Sequence, residues 1–576
     1  MTIEKCLMDI CIELTPIDAS APKFFGFSEF LTSLALMVLA WTTSDVRYRF
    51  RIDCAPIPLK GITFWVVVIF GMLTLLTDLW RAEQWLVPTN IPLTTGWWQA
   101  IMGGALLFTF FSWIWFAFIH PKPYGRWNAE RFTQALYQVI LKGSKEELSI
   151  IADELTKSMK SIVTHATEEN KQINQDTQNP RKVQLSANKI LELMADKIFC
   201  RVVANTSPTT AITLYNEMKN NNKYNIKVKS FTRNLISEAI NEKSSFICLE
   251  ISEYDSKPMG HRNPISRILF SNYKMSSAIG TTLCPNITDV YNWDTDQWKI
   301  YFRIVLVTLN SYNPQEHGIY SEILKNALDY AKRSTRDSYI INTTPDISYN
   351  NDYAKRIIMA INFTREFIKK INEKDVYKNI KVKIIREDLP LEEQLIAKES
   401  IYDHVASLMF GIVIDISQIT NPAWEEHISH SLIPLLVNHD FQVTGIEKII
   451  QAKFRRMIYN DIKSMEKTPN QRAARVIRLV LNTTGLETIK NKRKHGSSIL
   501  QKAVLGWLKR NYDWVYRNNR EIAKICLGKN TFYDSINHRI VRGYVSPSRT
   551  GKEYVHLDID PAEPPLASSS PTPAEH

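Results

Sequence analysis

Side chains able to do chemistry gather at three places in this 576-residue chain. The first holds Glu425, Glu426, His427 and His430, with His439 and Asp440 just behind and His404 upstream. On a helix, His427 and His430, three residues apart, would share a face, and Glu426 or Asp440 could complete a metal site. The spacing is not that of an HExxH motif, and helical surfaces rich in Glu and His are common without metal. The cluster therefore reads as a solvated or hydrogen-bonded face, and no metal ligand is assigned. The second place is the segment KPMGHRNPISR, whose Lys257, His261, Arg262 and Arg267 could hold an anion but read more simply as a charged surface loop. No GxxxxGK[ST], GxGxxG or GxSxG pattern occurs, nor a Cys and His pairing of recognised spacing. Catalytic residues, cofactors and a small-molecule substrate are accordingly not expected, and the chain is not read as an enzyme.

The third place carries charge. Between Lys490 and Glu553 stand fifteen Lys and Arg against four acids, a net +11 that nearly equals the +12 of the whole chain. Such concentration is the electrostatic footprint of a polyanion-binding domain. Beneath the charge, Ile499 to Tyr512 has helical apolar spacing. Asn518 followed by Glu521 suggests a capped start for a helix from Arg520 to Leu527. Gly528 supplies a turn, and Phe532, Ile536 and Ile540 fall at the spacing of a third helix, Thr531 to Val541. Extended runs Gly543 to Val545 and Glu553 to Leu557 flank a tip at 546–552 and predict a β-hairpin.

This order resembles the winged helix-turn-helix family over about residues 497–558, carried by REIAKICLG, TFYDSINHRIV and RGYVSPSRTGKEYVHL. The glycine falls one residue later than in the commonest form of the motif. The resemblance implies that the exposed face of the third helix, with Tyr533, Asp534, Asn537, His538 and Arg539, enters a DNA major groove, while Arg549 and Lys552 on the wing meet phosphates or a minor groove; Arg542, just past that helix, is counted with the nucleic-acid-binding residues. The same module could instead bind a partner protein, or anionic lipid.

What must position these residues is a membrane-attached chain. Gly61 to Trp80 is apolar except for Asp78 near its end, and Trp97 to Ile119 carries no charge, so each can span a bilayer. Phe24 to Val46 is a third candidate, interrupted by Glu29, which belongs at the headgroup boundary. Arg47, Arg49, Arg51 and Lys60 mark the first connecting loop as inside, as do Lys122, Arg126 and Arg131 after the third span. The expected topology is N-terminus out and bulk in, at the inner (cytoplasmic) membrane. Five of the seven cysteines then lie inside and read as reduced thiols, while Cys6 and Cys11 lie outside, where they could form a disulfide.

The fold class expected is therefore membrane α-helical, with three N-terminal transmembrane helices, plus a cytoplasmic α/β or α+β body and a C-terminal winged helix. The divisions read as an extracytoplasmic tail (1–23), a three-helix transmembrane region (24–120), a juxtamembrane helical stalk and linker (121–183), the α/β body (184–445), a helical connector (446–495), the basic module (496–559) and a disordered tail (560–576). Strands of the body are read at Phe246 to Ser252, Trp298 to Leu309, Ser338 to Asn342, Ile380 to Ile385 and Met409 to Ile416. The expected function is a membrane-anchored cytoplasmic nucleic-acid-binding sensor or regulator with DNA and the lipid bilayer as partners, an arrangement that would suit bacterial antiviral defence. The alternative is an oligomeric membrane effector or channel subunit whose winged helix binds a partner protein. A homo-oligomer fits either reading.

Overall fold

From Leu59 to Ala82 the only charges, Lys60, Asp78 and Arg81, sit near the two ends, and the stretch forms one continuous helix in the computed structural model. The structure describes residues 3–7, 10–17, 23–42, 45–88, 95–169, 181–252, 265–318, 320–343, 351–374, 400–436, 445–486, 497–545 and 552–561. The chain divides into two units, Met1–Ala239 with Ser244–Phe246, and Ile240–Lys243 with Ile247–His576.

The first unit opens with strands β1 (Ile3–Leu7) and β2 (Ile10–Pro16), then helices α1 (Phe27–Thr42), α2 (Val46–Asp53) and α3 (Leu59–Ala82). Strand β3 (Leu86–Pro88) precedes α4 (Thr95–Ile114), which continues as a π-helical turn, Trp115–Ile119. There follow α5 (Ala129–Lys142), α6 (Lys145–His165), α7 (Lys182–Leu193), α8 (Lys197–Asn205), α9 (Pro208–Asn220) and α10 (Lys229–Asn241). β1, β2 and β3 form an antiparallel sheet in that order, with Leu14 opposite Pro88 and the backbone of Cys6 opposite that of Cys11.

Among the described residues two helices are long and apolar enough to cross a membrane: Leu59–Ala82, with mean hydropathy 2.1, and Gly96–Ile119, with 1.8. Each has 24 residues, about 36 Å at 1.5 Å per residue, against roughly 30 Å of hydrocarbon. The third candidate is shorter: α1 has 16 residues, or about 24 Å. Its start is held by Glu29 of its own first turn and by side chains of α3 and α4. Asp78 accepts the Phe27 N–H at 3.0 Å, Glu29 accepts that of Gly26 at 2.9 Å, and Gln99 Oε1 accepts that of Phe24 at 2.9 Å. Glu29 thus lies in the first turn of α1 and satisfies a backbone donor. Farther along, α1 approaches α3 so closely that a Cβ on Gly71 would lie 2.7 Å from the Phe30 ring.

On the other side of these helices, α2 contacts α5, α6 and the π-helical turn. Its Arg51 makes a two-pronged ion pair with Glu154 of α6, Nε to Oε2 at 2.9 Å and Nη2 to Oε1 at 2.8 Å, while Nη1 donates to the Ala117 carbonyl at 2.9 Å. Lys157 and Arg47 also reach Glu154. Asn128 Nδ2 donates to the Cys54 carbonyl at 2.9 Å, and Arg131 to that of Ala55 at 3.0 Å. Burial raises the Glu154 carboxyl, but its hydrogen bonds from Arg51 and Lys157 outweigh that and hold it below its ordinary value.

The segment expected to be a stalk is a core element of this unit. α6 begins at a capping box built on Ser144 and Glu147. It buries Leu148, Ile151, Leu155, Met159 and Ile162 and packs against α7, α8 and α9. The linker beyond it lies mostly outside the described residues.

The second unit holds α11 (Phe246–Ser252), a π-helical turn (Ser266–Phe270), α12 (Tyr273–Ile279), α13 (Ile287–Val290), α14 (Thr295–Ser311), α15 (Pro314–His317) and α16 (Glu322–Ala331). After 3-10 turns at Lys332–Thr335 and Ser338–Thr343 come α17 (Asp352–Glu373), α18 (Ile401–Ser417), α19 (Pro422–Leu436), α20 (Gly445–Lys463) and α21 (Gln471–Thr484). The chain ends in α22 (Ser497–Asn518), α23 (Arg520–Cys526) and strands β4 (Thr531–Asp534), β5 (Arg539–Val545) and β6 (Lys552–Asp558).

The α/β or α+β body is corrected: its described residues are helical. Four of the five runs read as strands are helix, namely α11, α14, the turn at Ser338–Thr343 and part of α18, while Ile380 to Ile385 lies outside the described residues. A short run that is apolar on every side fits a buried strand or a buried helix equally well. In α14, Trp298, Tyr301, Phe302, Val305 and Leu309 are all buried, and Phe302 stacks on Phe363 of α17 at 4.3 Å. The expected connector is likewise core, with α20 and α21 packed on α18. Cys54, Cys200, Cys248, Cys284 and Cys526 are free and buried, and burial pushes the Cys526 thiol up to about 12.

Gly71→Ala should cost about 1–3 kcal/mol of stability by forcing the Phe30 ring aside, and Phe30→Leu in the same chain should recover part of it; thermal unfolding in detergent reads both. The Glu154 pair gives a pH signature. Because the folded carboxyl is lowered, its contribution is whole above about pH 4.5 and drains away as pH falls through the lower folded value. Glu154→Gln should therefore lower the unfolding temperature at neutral pH and lose that acid limb.

Candidate nucleic-acid interface

Local sequence explains the basic module once strand and turn chemistry are weighed against helical spacing. α22 runs on to Asn518, and the cap of α23 is Asn519, one residue later than predicted, its side chain accepting the Ile522 N–H at 3.0 Å. The third helix expected from Thr531 to Val541 is absent. Thr531, Phe532 and Tyr533 are a β-branched and aromatic run and form β4. The chain then reverses: Asp534 accepts the Ile536 and Asn537 N–H groups and the Asn537 amide, and His538 adopts φ +48°. That is an Asx turn. Phe532, Ile536 and Ile540 share no helix face: Phe532 is 52% exposed, Ile536 88% and Ile540 0%. β5 pairs antiparallel with β6, where the hairpin was predicted, from Arg539 opposite Asp558 to Val545 opposite Lys552. The module is two helices followed by a three-stranded meander, β4-β5-β6, with no recognition helix among the described residues.

This rearrangement changes what the seven predicted site residues do. Tyr533 points into the module, between the rings of Tyr512 and Tyr516, and donates to the buried Asp513 at 3.0 Å. Its hydroxyl pKa is raised, first by burial and then by Asp513. His538 lies 3.2 Å from the same hydroxyl, and Arg517 pairs with Asp513 at 2.6 Å. Asn537 holds the turn. Arg539 projects from β5 and pairs with Asp558 at 2.9 Å. Arg542 donates to the Leu481 carbonyl of α21 and lies over the Tyr544 ring. The backbone of Lys552 starts β6, and Arg549 lies outside the described residues, as do Lys490, Lys492, Arg493 and Lys494.

Sequence reasoning missed how the module seats on the helices before it. A Cβ on Gly528 would stand 2.3 Å from Asn482 Oδ1, so the chain passes α21 at a distance that suits glycine, and Lys529 N–H donates to that oxygen at 2.7 Å. Beside this contact opens a cleft of about 350 Å³ lined by, among others, Glu425, Glu426, His430, Lys529, Arg542 and Tyr544. Glu425 accepts from Asn482 at 2.9 Å and pairs with Arg478 at 3.2 Å, and Glu426 pairs with Lys529 at 2.8 Å. Glu426, first considered as a metal ligand, is thus engaged by a cation, and its neighbour Glu425 by a cation and an amide. Among the described residues no three His, Cys, Asp or Glu side chains converge as a metal site would require. His439 and Asp440 lie outside them. The cleft's mixture of charges can bind and orient a polar group.

Tyr533→Phe removes one hydrogen bond to a buried carboxylate and should cost about 1–2 kcal/mol in thermal unfolding without altering the salt dependence of any polyanion binding. No family model, no curated protein and no solved structure matches the chain.

Proposed function

We propose that this protein is a membrane-anchored nucleic-acid-binding protein, its N-terminal helices holding a helical body and the C-terminal module at the cytoplasmic face of the inner membrane. The observation that carries the reading is the net +11 between Lys490 and Glu553, since clustered Lys and Arg bind phosphate backbones by releasing their counterions. Arg510 and Lys524 are exposed on the two helices of this module and are not paired with any acid described above.

Two pairings within the first unit support three crossings by the N-terminal helices. β3, between α3 and α4, pairs with β2 ahead of α1, whereas Arg51, between α1 and α3, pairs with Glu154 beyond α4. On this reading the chain changes sides along α1, α3 and α4, and the short α1 is accommodated by local thinning of the bilayer. Arg47, Arg49, Arg51, Lys122, Arg126 and Arg131 then share the inner side, in keeping with the positive-inside rule.

The test uses the full chain in nanodiscs of zwitterionic lipid and fluorescein-labelled oligonucleotides. Anisotropy should report binding at low salt, with log affinity falling linearly against log salt by about 0.7–0.9 per phosphate neutralised. Replacing both Arg510 and Lys524 with Gln should reduce that slope. Absence of binding to either single strands or duplex at roughly 50 mM salt would overturn the reading.

A further inference from the structure

The sheet of the C-terminal module has one face packed and one face open, and the open face carries rings. Directly opposed residues share a face of a sheet, and so do residues two apart along a strand. Phe532 opposes Val541, Val541 opposes His556, and Gly543 opposes Tyr554. Phe532, Val541, His556, Gly543 and Tyr554 therefore lie on one face, and Ile540, with its cross-strand neighbours Tyr533 and Leu557, on the other. Exposure agrees: Ile540 is fully buried, whereas Phe532 is 52% and Tyr554 61% exposed, and His556 is exposed as well. The Tyr554 ring covers Gly543, whose Cβ, if present, would sit 3.4 Å from Cε1. Gly543 also lines the cleft, where Lys529 pairs with Glu426 and Arg542, opposite Thr531 and Val555 on the other face, donates to the Leu481 carbonyl. The other end carries Asp534 and the Arg539–Asp558 pair.

Resting on the nucleic-acid reading above, we propose that this face binds single-stranded nucleic acid, with bases stacked on Phe532, His556 and Tyr554 and the strand drawn to the module by its net positive charge. Bases of a single strand offer their flat surfaces, whereas those of a duplex are stacked on each other, and aromatic platforms in basic surroundings are the usual means of holding the former. His556 and Tyr554, two residues apart on β6, are separated by about 7 Å, which leaves room for a separate base on each. A basic surface meant only for phosphates has no use for exposed rings. Burying Phe532 and Tyr554 under bases gives them one.

The experiment compares the full chain with Phe532→Ala/Tyr554→Ala in zwitterionic nanodiscs, titrating a labelled oligothymidylate and a labelled duplex. Both side chains are exposed, so the double variant should unfold at the same temperature as the unaltered protein. Its single-strand affinity should fall at least tenfold, about 1.4 kcal/mol, with duplex binding and the salt slope retained. Phe532→Trp should keep the affinity, and its fluorescence should be quenched by the oligothymidylate. If the double variant binds single strands as well as the unaltered protein, stacking is overturned while the nucleic-acid reading stands. If neither oligonucleotide binds the unaltered chain, both fall. If the double variant loses only binding to vesicles containing phosphatidylserine, the face is a lipid contact and the proposal is overturned.

Discussion

Arg51 and Glu154 join two parts of the chain of different character, apolar helices long enough to cross a membrane and the amphipathic helices that follow them. Arg51 is 12% exposed and Glu154 7%, so neither charge has free access to water, and each depends on the other for its solvation. A buried pair of this kind contributes little net stability relative to an apolar pair, yet loss of one partner is costly because the other is left unmatched. Its value here is positional. One guanidinium grips the carboxylate of α6 and the Ala117 carbonyl in the π-helical turn that ends α4, so the short α2, the end of an apolar helix and α6 keep one fixed spacing. Asn128 and Arg131 repeat the arrangement on the carbonyls of Cys54 and Ala55. Any motion of α4 along its axis would have to break these bonds together.

At the other end of the chain, charge is partly spent within the protein. Arg517 serves Asp513, Arg539 serves Asp558, and Lys529 serves Glu426. What a polyanion would meet is therefore the remainder, the cations exposed on α22 and α23, Arg510 and Lys524 among them. The acids of α19 explain how a strongly basic module can rest against the helices that precede it.

The two apolar helices were legible because nothing competes with their signal: an uncharged run of that length has few other readings. The amphipathic helices α5 and α6 were legible from their own spacing, but not that α6 is enclosed by α7, α8 and α9, which come after a long break in the chain, since long-range packing leaves no local mark. The body was misread because Trp298 to Leu309 is buried on every side and therefore lacks the polar stripe that tells a helix from a strand. In the basic module, the spacing of Phe532, Ile536 and Ile540 outweighed the turn chemistry of Asp534 and Asn537, and the groove-facing roles assigned to Tyr533 and His538 went with it. The contact of Gly528 with Asn482 had no signature beyond the glycine itself.

The pairing of β2 with β3 sets an order on synthesis. β2 ends at Pro16 and β3 begins at Leu86, so the first hairpin must wait for about seventy further residues, α1 and α3 among them, before its third strand exists. At roughly 5–20 residues per second, that is several seconds during which the edge of β2 has no β3 to pair with. Closure of the small sheet thus comes after α3 has been made, and once formed it ties the tail to the connection between α3 and α4, a clasp fastened behind helices already in place.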